Sequence, residues 1–565
     1  MLTNALLAEL AAIVGDEHLL SEERTLLQQS KDFYWFSPVL KPLLEDKRAD
    51  VMVRPGNVDE LLAVVRLAVR ERIPITARGA GTGNYGQGIP IHGGILLNLK
   101  RLDQILEITE DAMRVQAGTL LVDMEQAARQ RGLELRFFPS TLQTATAGGF
   151  VSGGAGGIGS VTWGTLWDDD NVRAATVVTV EEDPQILSID SADGLRGVVH
   201  NCGLTAIVLD CTLALAPARP WAQYVVAFDT FTDALRCAEE LAIDDSEPKR
   251  LVTALAWPIP SYFRQLVKDG ACPDGKAILL LQVVMDEATL AARMASFGGV
   301  VTWHSLHENY LRRGWQLSDF SWNHTTLWAM KSDPSLTYLQ DMFLPDKVYQ
   351  QLAQRRERYG DVLMEHIEFM KFGGRLVPQG LTLVRFQSSE QLTELMSWCE
   401  SIGIWIANAH THYLDEDVRW NGQPILDAGA LGSAWAAESR TFERDWGLGT
   451  GDWGVCRISP KRNTCEPLPL APLLIDIAAS RQTRWGCRVA GGRGGAAWAA
   501  FAHTHGHVDR LHHARRRPRR LTRRRRRVGA AHVAVQQKQR AHRLPGTISL
   551  SNQTLNAVLH DLARG

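Results

Sequence analysis

No apolar run in this chain of 565 residues is long enough to cross a bilayer. Its eight cysteines lack the paired spacing of a disulfide framework or a zinc ribbon. The first absence leaves no transmembrane segment to propose. The second fits a reducing compartment, so the expected location is cytoplasmic, with peripheral attachment to a membrane as its variant. A signal peptide is not expected, because the amino-terminal stretch MLTNALLAELAAIVGDEHLLSEERTLL mixes acids into short apolar runs and is patterned as helix. Acidic residues are absent from Arg510 to His560, while Arg515 to Arg527 reads RRRPRRLTRRRRR. The formal charge of −2 therefore averages over unlike parts and excludes little. With 45% hydrophobic and 22% charged residues, the chain as a whole has the composition of a globular protein of two or three domains.

What is abundant is glycine, and two glycine-rich stretches carry most of the information. From Ile73 to Lys100 the chain reads IPITARGAGTGNYGQGIPIHGGILLNLK. Gly81, Gly83 and Gly86 satisfy G-x-G-x-x-G in form, but a Rossmann fingerprint must open a helix. Gly86, Gly88, Pro90, Gly93 and Gly94 prevent one from starting here. The expectation is a strand, a loop of bare backbone and a second strand. Such a loop lets successive N–H groups converge on a diphosphate without help from a helix dipole. A tight hairpin that only turns the chain is the competing reading.

The second stretch begins at Pro139-Ser140-Thr141 and continues from Thr144 to Gly164 as TATAGGFVSGGAGGIGSVTWG. It has almost no side-chain bulk to bury in a core. Its hydroxyls and exposed N–H groups suit a polar ring edge, and the missing side chains allow close approach to something flat and large. A flexible linker is the alternative, opposed by helix-patterned chain before it and the strand-like Ala174 to Val180 after it.

Taken in order, ARGAGTGNYG, PSTLQTATAGGFVSGGAGG and Gly203-Leu-Thr-Ala-Ile-Val208 resemble the FAD-binding domain of the vanillyl-alcohol oxidase and p-cresol methylhydroxylase superfamily. Within it, the nearest type is the glycolate oxidase and D-lactate dehydrogenase kind of FAD-linked oxidase. The resemblance implies an α+β protein: a two-subdomain PCMH-type FAD-binding domain followed by an α+β cap domain with an antiparallel sheet. The implied boundaries are a helical segment of the FAD domain at 1–46, the FAD-binding domain at 47–217, the substrate or cap domain at 218–430 and an Arg-rich tail at 431–565. It also implies that Arg78, Gly79, Ala80, Gly81, Thr82, Gly83 and Asn84 form a pyrophosphate loop. Pro139, Ser140, Thr141, Thr144, Ala145, Gly148 and Gly149 would line the flavin and ribityl chain. Gly154, Gly157 and Ser160 would continue that wall, and Ile207 would offer backbone groups to the ring. The loop contains no histidine and His92 lies beyond it, so FAD held without a covalent bond is expected.

Periodicity supplies the frame. Val58 to Arg72 is patterned as an amphipathic helix, Ile95 to Leu99 and Arg114 to Gln116 as extended chain, and Leu121 to Arg131 as a helix stopped by Gly132. After Trp221, Tyr224 to Phe228 and Ala277 to Met285 read as strands around a helix near Thr232 to Ile243, which suggests an antiparallel sheet with helices on one face.

Four polar clusters in this second half are candidates for chemistry: Asn323 and His324 beside Trp322, Glu365-His366 with Glu368, Arg375 and Arg385 flanking the strand-like LVPQGLTLV, and Asn408, His410 and His412. If Ile402 to Ile406 is a strand that continues, the last three share one face. Oxidising a secondary alcohol requires a base for the hydroxyl proton, and a neutral histidine, His324 or His410, suits that task. An α-carboxylate would call for a planar cation, Arg375 or Arg385. The substrate expected is a small alcohol or 2-hydroxy acid, and no motif specifies the electron acceptor. The G-D-G-N-x-H segment that many relatives associate with a metal is missing, and His410-Thr-His412 does not close a metal site. No metal is expected. A nicotinamide-dependent flavin reductase and a non-catalytic flavin-fold scaffold with a basic interaction tail are the alternative functions.

After Trp446 the composition changes abruptly to Arg, Ala, Gly and His. A shifted reading frame in GC-rich DNA produces such text. A disordered basic tail and a nucleic-acid arm are the other readings, the last disfavoured because aromatic interleaving and a reading module are missing.

Overall fold

The computed structural model describes residues 2–168, 170–306 and 315–410, with two short extended pieces, Arg419–Trp420 and Gln423–Pro424. His412 and the Arg-rich tail lie outside the described residues.

The first domain has two sheets. In the smaller, Val51–Val53 and Ile75–Arg78 flank Ile95–Asn98, both running parallel to it, and Leu19–Leu20 adds antiparallel to Val51–Val53. Helix Val58–Arg70 makes the crossover from Val51–Val53 to Ile75–Arg78. Asn57 caps it by accepting the Glu60 N–H, and its apolar stripe (Leu61, Val64, Val65, Ala68) is buried. The parallel pairing of Ile75–Arg78 with Ile95–Asn98 excludes the tight hairpin, which would leave its strands antiparallel. The residues between them form a long loop without a helix.

The larger sheet is antiparallel, in the order Ile105–Ile108, Ala112–Gln116, Ile207–Pro217, Val172–Val178, Ile186–Ile189, with Leu133–Leu135 added beside the end of the long central strand. The helix expected to stop at Gly132 spans Leu121–Arg129, and Gly132 has φ 73°, a left-handed conformation that glycine adopts without strain.

The cap is built on an eight-stranded antiparallel sheet. Ala222–Phe228 and Lys249–Leu255 both pair with Ala277–Val283, and the sheet continues through His366–Phe372 and Arg375–Gly380. Alternation divides its faces. Tyr224, Val226 and Phe228 join a core with helices Phe231–Ile243, Glu287–Ala295, Val348–Tyr359 and Ser389–Ser401, while Val225 and Ala227 belong to a core continuous with the first domain.

Two expectations about single strands need correction. LVPQGLTLV is not one strand. Arg375–Gly380 lies in the large sheet, and Leu383–Arg385 crosses to a three-stranded sheet with Leu336–Tyr338 and Leu363–Met364. The break falls after Gly380, where any Cβ would collide with the Asp341 carboxylate. Likewise the strand near Ile402 spans only Trp405–Ala407, and the Asn408 side chain then accepts the His410 N–H at 2.9 Å and turns the chain. Asn408 and His410 consequently do not share a strand face.

Candidate functional site

The glycine loop is shaped by a buried arginine. Arg78, the last residue of its strand, is 8% exposed and donates to the carbonyls of Lys31 and, at 3.4 Å, Gly88. Its guanidinium occupies the space that a Cβ at Gly81 would fill, and Gly81 has φ 68°. Bare backbone is therefore required there twice over. Burial lowers the Arg78 pKa, with the charge of Asp32 opposing. Burial also raises the Asp32 carboxyl to about 6, against the Tyr34 N–H and the Arg78 charge. Asp32 Oδ1 accepts the Tyr34 N–H at 2.8 Å, while Oδ2 has no partner among the described residues.

The second stretch is a wall and not a linker. It begins with a helix that sequence reading missed, Ala147–Gly153. Gly148 lets this helix lie directly on Ala117, and Gly79 of the loop lies against Thr146 just before it, leaving no room for a side chain in either place. The Thr146 hydroxyl is buried without a partner among the described residues. Beyond the helix, Phe138 and Ile158 exchange backbone hydrogen bonds of 3.0 and 2.8 Å, with Gly157 pressed on the Phe138 carbonyl. The segment 200–203 clasps the helix from the other side. His200 N bonds Val151 O, Cys202 N bonds Ser152 O, and His200 Nδ1 meets Gly154 O at 2.8 Å.

These elements line one large cavity together with residues of the cap. Arg78 to Asn84, Pro139, Ser140, Thr141, Ala145, Gly148, Gly149, Gly154 and Ile207 all line it. Thr144, Gly157 and Ser160 do not. Thr144 closes an exposed turn onto Thr141 O, and Ser160 is fully buried with its hydroxyl accepting the Gly157 N–H at 2.9 Å, so this pair braces the wall from behind. Sequence reading did not single out Asp32, Phe33, Phe36, Gln340 or Gln379, which also line the cavity. Only chain folding brings them there, since the contact of Asp32 with Arg78 spans two distant segments.

Among the proposed catalytic residues, His324 lines the cavity. It lies in the first turn of helix Asn323–Met330, and burial, with Lys331 adding to the effect, pushes its pKa down to about 4. His410 does not line it: Nδ1 meets the Ser37 hydroxyl at 2.9 Å between the cap and the first domain. Arg375 is exposed beside the Gly373-Gly374 turn, and Arg385 is paired with Asp333 at 2.6 Å, so neither faces the cavity.

The turn that presents His324 is anchored by a buried carboxylate. Trp322 has φ 51°, an unusual value for a bulky residue, and its N–H donates to Glu368 Oε1 at 2.8 Å. Glu368 also meets His366 Nε2 at 2.9 Å and accepts from the Thr253 hydroxyl at 2.6 Å. Glu365-His366-Glu368 thus lies behind the cavity. Two further bonds tie the glycine loop to the cap: Asn84 donates to the Tyr338 hydroxyl and Tyr85 to Gln340 Oε1.

This architecture is that of a flavin-binding domain carrying a cap. The family described as "FAD binding domain" matches residues 49–188. Those residues carry an FAD-binding domain of the PCMH type, and its cofactor is FAD. The chain is 34% identical over 244 residues to the glycolate oxidase subunit GlcD of Bacillus subtilis (41% of this chain, 51% of that protein). It is 28% identical over 213 residues to a D-lactate dehydrogenase of Archaeoglobus fulgidus (36% and 47%). The chain spans about half the length of these curated relatives. The solved structure of an alkyldihydroxyacetonephosphate synthase shares the fold at TM-score 0.56 and 12% identity, over 72% of this chain and 81% of that one. Among the described residues no helix is long and apolar enough to cross a membrane, and no cluster of His, Cys, Asp or Glu could hold a metal ion.

Proposed function

We propose that the protein is an FAD-dependent oxidoreductase that oxidises the carbinol carbon of an alcohol or 2-hydroxy acid. The observation that carries this reading is one cavity in which two side-chain-free backbone walls meet a histidine kept neutral by burial. The printed names of the relatives, glycolate oxidase and D-lactate dehydrogenase, support the substrate class.

The residues fit the cofactor. Backbone N–H groups from Gly79 to Asn84, with the Arg78 charge behind them, would hold the diphosphate. Pro139 to Thr141, Ala145, Gly148, Gly149, Gly154 and Ile207 would flank the ribityl chain and ring, and the unpartnered Thr146 hydroxyl is available to the same group. Bound FAD supplies the acceptor for a hydride. The chain's own share is to bind the alcohol under the cap, to keep water out with Phe33, Phe36, Trp322 and Leu327, and to take up the hydroxyl proton on His324. A neutral imidazole is able to do this at any pH well above 4.

The test is anaerobic reduction of the bound flavin, followed by bleaching of its visible band, with D-lactate, glycolate and uncharged secondary alcohols. His324→Asn should slow bleaching by about 100-fold or more, in the range of a lost general base, with flavin content unchanged. A flavin that none of these compounds bleaches, or a variant as fast as the parent, refutes the reading.

A further inference from the structure

We propose that the cap-side end of the cavity is a subsite for an uncharged alcohol bearing a carboxamide-like hydrogen-bonding group and an apolar flank, in preference to a carboxylate anion. The inference rests on the oxidoreductase reading above and narrows its substrate class.

Three residues that line this end hold buried polar atoms with no partner among the described residues: Trp322 Nε1, Asn323 Oδ1 and Gln379 Oε1. A buried polar atom left unmatched is destabilising, so three of them beside a cavity call for a ligand that completes them. Their chemistry is specific. The indole is a donor only, and each amide offers one acceptor and one donor group in either orientation. All are neutral. Phe33, Phe36 and Leu327 supply apolar surface next to them.

Three described cations of the cap are committed elsewhere. Arg385 is held by Asp333 at 2.6 Å, Arg355 lies between Asp341 and Glu365, and Lys331 sits over the Trp328 ring at 4.3 Å. Among the described residues lining the cavity, formal charge resides only on Arg78 and Asp32, which offset one another beside the glycine loop. Among the described residues, a carboxylate desolvated at the cap end would meet amides and aromatic rings with no cation to offset its lost hydration. A carboxamide of the same shape bears no such cost and matches both donors and acceptors there.

Binding is read without turnover by using tertiary alcohols, which have no hydrogen on the carbinol carbon and cannot reduce the flavin. The full-length protein loaded with FAD is titrated in a calorimeter with 2-hydroxy-2-phenylpropanamide and with 2-hydroxy-2-phenylpropanoate. The amide should bind at least about tenfold more tightly than the anion. Gln379→Leu and Asn323→Leu should each weaken the amide about tenfold while the visible spectrum of bound FAD keeps its intensity. Equal or tighter binding of the anion, no binding of the amide, or unaffected variants overturns the proposal. The two readings separate cleanly. Preferential amide binding by a protein whose flavin no alcohol bleaches retains the subsite and refutes the oxidoreductase; bleaching by 2-hydroxy acids together with tighter anion binding does the reverse.

Discussion

At the scale of single residues, burial sets the protonation of the histidines. His200, His324 and His410 are each pushed down to about 4, with desolvation as the largest cause. A histidine whose folded pKa lies below its unfolded value of about 6.5 contributes full stability above that value and loses it as pH falls toward 4. Asp32 works in the opposite sense, because its raised pKa makes folding easier as pH drops through about 6. Of the histidines, His410 separates most clearly from chemistry, since it is 7% exposed and bonds Ser37 instead of facing the cavity. Replacing it with asparagine, which retains a hydrogen-bonding atom near Nδ1, should therefore remove part of the acid sensitivity. Urea unfolding of the parent and His410→Asn at pH 7 and pH 4.5 tests this. The parent should lose about 2–3 kcal/mol more than the variant between the two pH values. Parallel losses would show that His410 is not a buried neutral group.

At the scale of elements, the turn Ser321 to His324 is the part most exposed to failure, because its backbone conformation is unfavourable and Glu368 holds it. Residues in such regions persist where their surroundings over-determine them. Glu368 acts here as a positioning residue. Glu368→Gln keeps an oxygen for the Trp322 N–H and an amide for Thr253, whose hydroxyl can reverse. Glu368→Ala keeps neither. Flavin reduction should fall about tenfold or more in the alanine variant and stay within about threefold of the parent in the glutamine variant, both with parental FAD content. An alanine variant as fast as the parent refutes the assignment. Elements differ in how far their sequence announces them, and for physical reasons. The helix Val58–Arg70 and the strand Ala222–Phe228 follow from local periodicity, and the lack of a helix after Arg78 from glycine and proline chemistry. Helix Ala147–Gly153 was not legible, because glycines that disfavour a helix locally are required by its contact with Ala117. The glycine loops could be read as cavity lining, since the missing side chains are themselves the signal. Gln340, Gln379 and Asp32 could not, because only long-range folding makes them part of the same wall.

At the scale of the whole molecule, the FAD domain and the cap share one core, and a buried ionic knot joins them. Arg250, on a cap strand and 2% exposed, lies 3.5 Å from Glu125 and 3.7 Å from Glu134 of the FAD domain and donates to Leu135 O at 2.7 Å. Its guanidinium also packs 4.5 Å from the Phe138 ring, at the foot of the wall that ends in Pro139 and Ser140. Arg129, partly exposed, pairs with both glutamates, so the cluster holds two arginines and two acids. Removing Arg250 leaves an uncompensated buried negative charge, and breaking such a pair costs about 3–5 kcal/mol. The cost depends on pH. Burial already raises the Glu134 pKa, Arg250 is the largest influence lowering it, and without that influence the folded protein takes up a proton more readily than the unfolded chain. A group with a raised folded pKa weakens the fold as pH rises through that value. Arg250→Met, which keeps the packing volume, should therefore be destabilised most at pH 8 and least at pH 5.5, by urea unfolding of the FAD-loaded protein. Because the wall is anchored at the same point, flavin release on mild heating should shift with unfolding as one transition. A penalty independent of pH, or flavin lost well before the cap unfolds, would show that the knot does not couple the two domains.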